Sequence, residues 1–175
     1  LSSSSAASDV YKRQLINLLI AEGYICFKEI SRDFIKLGKE KGIDNYFKED
    51  PHSFSNHLWE RRKEQFTEAQ QSEESFVFFD RGVHDVVAYL NHVKAPINPW
   101  EKELDQFRYD LVFLVKPVAL IYTQDEDRME TFDEALKVHE SLEKTYLKSN
   151  IEVIHIPFTT PEKRLNIILN QCING

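Results

Sequence analysis

The sequence predicts an α/β fold, a parallel sheet covered by helices on both faces. Three observations predict it. Phe76-Val77-Phe78-Phe79 and Leu111-Val112-Phe113-Leu114-Val115 are continuously apolar runs of strand length, the pattern of strands buried on both faces. Ile151 to Ile156 is a third strand-like run, closed by Pro157. Stretches with apolar residues at helical spacing separate these runs, so strands and helices alternate along the chain.

The elements follow in order. Leu15 to Glu22 reads as a helix ended by Gly23, and Tyr24 to Phe27 as a short strand. Ile30 to Leu37 is a helix with Ile30, Phe34 and Leu37 on one side, and residues 38–51 are polar and loop-like. His52 to Gln71 is a polar helix with Phe54, Leu58 and Phe66 on its inner stripe, and Trp59 either inside or exposed. After the strand at 76–79, Val83 to Val93 is a helix that places Val83, Val86, Val87 and Leu90 together. Pro96 and Pro99 break the chain before a short helix from Trp100 to Phe107. Beyond the strand at 111–115, an acidic turn at Asp125-Glu126-Asp127 leads through Arg128 into a long helix ending near Lys148. Its residues Met129, Phe132, Leu136, His139, Leu142 and Tyr146 keep helical spacing, and Asn150 ends it. Thr160-Pro161 opens the last helix with a capping hydroxyl and a first-turn proline.

Composition bounds the function. The 175 residues suffice for one domain with a core, and neither an internal repeat nor a second domain is visible. A hydrophobic content of 42%, with 12 Phe and 7 Tyr, marks a globular chain. A formal net charge of −7 argues against a general nucleic-acid binder, although a local basic pocket for a nucleotide fits an acidic protein. Cys26 and Cys172 stand alone without metal spacing and read as reduced thiols in a cytoplasmic setting. No apolar run reaches transmembrane length, and no signal peptide is visible. The six histidines form no metal set, and no serine sits in a nucleophile elbow.

Residues 1–14, LSSSSAASDVYKRQ, are set apart. The serine run lacks periodicity, and Asp9 to Gln14 resembles the in-frame translation of a transposon end used in preparing DNA sequencing libraries. This stretch is expected to be a disordered sequencing scar, with the true domain covering 15–175.

The candidate chemistry follows the strand at 76–79. Asp80 and Arg81 stand at its end, with Gly82 next, and chemistry in an open α/β sheet sits beyond the carboxyl ends of the strands. A carboxylate there can hold a metal ion directly or through water, and an arginine can grip a phosphate with its rigid fork of donors. The competing reading is a surface pair that caps the next helix. Glu29 and Arg32, a helical turn apart at another strand end, either contact an acceptor or pair with each other. Asp85 either bonds an acceptor or caps its helix. Arg128 either serves a lid or pairs with Asp125 or Glu126, and Arg164 is structural or near a base.

Taken together, Glu29-x-x-Arg32, Phe78-Phe79-Asp80-Arg81-Gly82 with Asp85 and Tyr89-Leu90, Tyr109-Asp110-x-Val112-Phe113, Tyr122-x-x-Asp125-x-x-Arg128, Ile156-Pro157 and Arg164 form a series. That series resembles the AAA-type ATPase family of P-loop proteins that includes the ribosylnicotinamide kinase domain of the bacterial NAD regulator. The resemblance implies a P-loop NTPase-like three-layer sheet. It also implies ATP and Mg²⁺ as cofactors, an unknown small-molecule or phosphate acceptor, and no nucleic-acid or membrane partner. Asp80 would orient magnesium-bound water or act as base, Arg81 would bind phosphate, and Arg128 would act from a lid. Glu29, Arg32 and Asp85 would face the acceptor.

The glycine-rich loop of such proteins ends in Gly-Lys-Ser or Gly-Lys-Thr and wraps the phosphates. The five glycines here stand at 23, 38, 42, 82 and 175, and none has that spacing. The expectation is therefore a domain whose first strand and P-loop are missing. It would be an inactive piece of an ATPase or kinase-like phosphotransferase, destabilised by its open sheet. A non-catalytic nucleotide-sensing module and a protein-interaction domain stand as alternatives.

Overall fold

The structure, a computed structural model, describes residues 6–31, 34–36, 51–117 and 131–174. Helix α1 (Ala6–Ala21) begins nine residues before the expected start. Helix covers 6–14, within the stretch expected to be disordered. That stretch contains no glycine or proline to interrupt a helix. Tyr11 within it packs against Phe158, with ring centroids 5.3 Å apart. The far end closes as the sequence suggests. Gly23, at φ +94°, turns the chain, and its N–H donates to Ile20 O while Tyr24 N–H donates to Leu19 O, both at 3.0 Å.

Strand β1 (Ile25–Phe27) follows, and Ser31 and residues 34–36 are helical where a helix is expected. Helix α2 (Pro51–Gln70) buries Phe54, Leu58, Phe66 and Trp59, which places Trp59 inside. Strand β2 (Val77–Phe79) leads to helix α3 (Val83–His92), whose Val83, Val86, Val87 and Leu90 form the expected buried stripe. Helix α4 (Trp100–Glu103) tightens into a 3₁₀ turn (Leu104–Gln106) before strand β3 (Leu111–Val115). Helix α5 (Phe132–Lys148) starts later than its apolar spacing suggests. Thr131 caps it, accepting from Glu134 N–H at 3.3 Å while Glu134 accepts from Thr131 N–H at 2.6 Å. Strand β4 (Glu152–Ile156) and helix α6 (Pro161–Asn174) complete the fold, and Thr160 accepts from Lys163 N–H at 3.4 Å. The expected elements at 121–128, together with Leu37 and Met129, lie outside the described residues.

The strands pair in two parallel couples rather than one continuous sheet. β1 pairs with β2, Ile25 opposite Val77, and β3 pairs with β4, Leu111 opposite Glu152. Among the described residues no strand pairs with the inner edges of β2 and β3. Helices nevertheless cover both faces. On one side, Leu15 and Leu19 of α1 and Leu165 and Ile168 of α6 pack on Cys26 and Phe78 from one couple and Phe113, Val115 and Ile156 from the other. On the other side, α2, α3 and α4 enclose an aromatic-rich core around Trp59, Phe66, Trp100 and Phe107. A cavity of about 890 Å³ separates the two couples, lined by residues 76–82 on one flank and 108–115 on the other.

Candidate functional site

The carboxyl ends of β1 and β2 bring together four of the six residues the sequence singles out. Parallel pairing continues one step past β2, since Asp80 N–H donates to Phe27 O at 2.7 Å. This fixes Asp80-Arg81 beside Lys28-Glu29. Arg81 adopts φ +81°, a conformation that a bulky residue enters only at a cost of about 1–3 kcal/mol. Its Nε pairs with Glu29 Oε2, and the Arg81 side chain is 8% exposed. The other Glu29 oxygen accepts from the N–H groups of Ile30 and Ser31, each at 2.9 Å.

A residue that the sequence reading passes over completes this ion pair. Arg62, at the middle of α2 and 2% exposed, donates from Nη2 to Glu29 Oε1 and from Nη1 to Gly82 O, both at 3.2 Å. Gln65, three residues on, donates to Lys28 O at 3.3 Å. Arg62 thereby ties both strand ends to one helix. Burial pushes the Glu29 pKa up, but Arg81 and Arg62, with the Ser31 N–H, outweigh it and hold the carboxyl at about 2. The signal for Arg62 lies in the sequence, since Leu58, Arg62 and Phe66 at i, i+4 and i+8 share one helical stripe.

Asp85 closes the Gly82 turn. Its Oδ2 accepts from Gly82 N–H at 2.9 Å and from the Tyr146 hydroxyl. This contact caps α3. Gly82 is required here by space rather than by φ: a Cβ at this position would lie 2.8 Å from the Tyr109 ring. The Tyr109 hydroxyl accepts from Val83 N–H at 3.0 Å, and burial raises its pKa. His84 points into the core, stacked on Tyr146 with centroids 4.9 Å apart and meeting Tyr109 edge-on. Burial lowers its pKa to about 4, against the opposing pull of Asp85 and Asp105.

Asp80 differs from these held groups. It borders the large cavity together with Arg81, Gly82, Asp85 and Lys12 of α1. Among the described residues its carboxylate makes no hydrogen bond or ion pair, so it remains available to a water, a cation or a hydroxyl. Arg32 and Arg128 lie outside the described residues. Asp80 fits a magnesium-bound water, because such sites use one or two carboxylates and complete the shell with water and phosphate. No group of three metal-ligating side chains occurs among the described residues. The 175 residues do not supply a glycine-rich cradle for the phosphates themselves. No helix among the described residues is long and apolar enough to cross a membrane.

A family model described as AAA domain matches residues 11–164. No curated protein and no solved structure matches the chain.

Proposed function

The chain belongs to the AAA-domain family, and from that premise we propose that it is the ATP- and Mg²⁺-handling domain of a P-loop ATPase or small-molecule kinase-like phosphotransferase. The observation that carries this reading is the strand-end cluster. A carboxylate with no hydrogen bond or ion pair among the described residues, Asp80, borders a cavity beside a buried Glu29–Arg62–Arg81 network, at the carboxyl ends of parallel strands. Bound ATP with Mg²⁺ would supply the transferable phosphoryl group and the charge that neutralises it. Asp80 orients a water or takes the proton of an acceptor hydroxyl. Glu29 and Arg62 hold Arg81 and the Gly82 carbonyl in place, so the turn that carries Asp80 does not drift. Kinase chemistry of the ribosylnicotinamide type is the finer form of this reading.

A cavity of about 890 Å³ between the two couples of parallel strands is large enough to take a ligand. In this reading the 175-residue chain alone turns over no nucleotide, and its open strand edges make it prone to aggregate. A non-catalytic nucleotide sensor or interaction module is favoured by one observation, the burial of the Arg81 side chain against Glu29. The test compares MgATP binding and phosphate release by the 175-residue chain and by a chain extended with the upstream source sequence. The reading expects binding and turnover only in the extended chain, whereas binding without turnover selects the sensor.

A further inference from the structure

The facing edges of β2 and β3 form a slot with an unused set of backbone donors and acceptors. Asp80 N–H donates to Phe27 O at 2.7 Å, and Phe27 stands opposite Phe79. In a parallel ladder the backbone groups of alternate residues face opposite neighbours. Phe78 and Asp80 therefore turn theirs to β1, while Val77 and Phe79 turn theirs to the cavity of about 890 Å³ between the couples. Among the described residues, neither Val77 nor Phe79 makes a backbone hydrogen bond on that side. Across the cavity, β3 pairs only with β4 among the described residues. The two couples run the same way. Arg164, near the start of α6, donates to Tyr11 O in the first half of α1 at 3.3 Å, so these two packed helices are parallel. Helix α1 leads into β1 and α6 follows β4, which points both couples in one direction.

The slot is apolar on both faces and acidic at one end. Leu15 and Leu19 of α1 and Ile168 of α6 line it from one side, and Phe66 of α2 from the other. A segment lying there alternates its side chains between these two layers, so it needs apolar residues throughout. Strand β3, with five residues, sets the length at five or six, about 17–20 Å. Glu74, Asp110 and Glu152, at the amino ends of three strands, line the same end of the cavity alongside Arg108. That excess of negative charge suits a basic residue just before the segment. The helical layers on both sides exclude a strand that carries helices of its own, as the strands of a second copy do. We propose that this slot is a docking site for a partner polypeptide. The partner inserts a bare, extended apolar segment of five or six residues, preceded by a basic residue, between β2 and β3 and parallel to both, as in β-strand addition.

The test refolds the 175-residue chain by dilution, alone and with an acetylated, amidated peptide of two lysines followed by Val-Ile-Val-Ile-Val. Binding is then followed by calorimetry, and amide exchange by NMR. The peptide raises the yield of soluble chain roughly threefold or more, by mass action on the folded state. It slows exchange at the Val77 and Phe79 amides roughly tenfold or more and leaves Phe78, already bonded to β1, within about twofold. A peptide N-methylated on its central residues keeps the apolar surface but loses the ladder bonds, and it binds roughly tenfold more weakly or worse. Moving the lysines to the carboxyl end also weakens binding. An unchanged soluble yield with no binding, equal affinity for the N-methylated peptide, or protection at Cys26 on the outer edge of β1 in place of Val77 each overturns the proposal. Protection of Val77 and Phe79 without peptide, in concentration-dependent dimers, assigns the slot to a second copy and overturns it as well. No nucleotide is present in these measurements, so the docking site and the Asp80 reading fail separately.

Discussion

Arg62 and Glu29 meet at 3.2 Å across 33 positions of sequence, and through that contact a helix holds the ends of two strands. The pair is buried, with side-chain exposures of 2% and 16%. Its removal leaves Glu29 with fewer cations in a low-dielectric setting. Arg62→Met should therefore destabilise the fold by about 3 kcal/mol, the cost of breaking one side of a buried ion pair. It should also raise the Glu29 pKa from about 2 towards the ordinary value of 4.5. Urea unfolding at neutral pH checks the first outcome, and an unchanged midpoint contradicts it.

Two acid-side losses of stability should be separable. His84 has its pKa lowered from 6.5 to about 4, so its neutral form is the folded one. A group with a depressed folded pKa contributes stability above its unfolded value and loses it as pH falls, here between 6.5 and 4. Glu29 follows the same sign at lower pH, losing its contribution between 4.5 and about 2. Each window is worth up to about 3 kcal/mol. His84→Phe keeps the ring stack on Tyr146 and should flatten the upper window only. Equal pH slopes for the wild type and this variant between 6.5 and 4 would rule out His84 as the cause.

Gly82→Ala tests the close approach of the turn to Tyr109. The added Cβ would stand 2.8 Å from Tyr109 ring atoms, and Tyr109 itself is held by the Val83 N–H. Overpacking of this kind costs about 1–3 kcal/mol. Combining it with Tyr109→Ala should cost less than the sum of the two single changes, because the clash disappears with the ring. Strict additivity in thermal unfolding would show that the contact does not set the position of Gly82.

The sequence made much of this legible for physical reasons that differ by element. Strands β2 and β3 announce themselves because burial on both faces demands continuous apolar runs. Asp80, Arg81 and Glu29 were visible as charges immediately after such runs. The Thr131-x-x-Glu134 capping box was also readable, yet the apolar spacing from Met129 masked it and put the helix start too early. Arg62 escaped because its helix is polar almost throughout, and only its place between Leu58 and Phe66 marks it as inward-facing. Residues 6–14 carry no apolar period, so their helix is imposed by continuity with Leu15 to Ala21 and by the packing of Tyr11 on Phe158. The division of the sheet into two couples was beyond local pattern. Hydrogen-bond partners are chosen in three dimensions, and each strand by itself looks the same whether or not a neighbour arrives.

The central claim is that Asp80 serves phosphoryl chemistry at the strand ends. Its most direct test is phosphate release from MgATP by a chain extended with the upstream source sequence, with and without Asp80→Asn. The account predicts that the extended chain binds and turns over MgATP, and that Asp80→Asn keeps binding while slowing turnover roughly a hundredfold or more. An extended chain that binds no nucleotide, or an Asp80→Asn variant that turns over at the full rate, contradicts it.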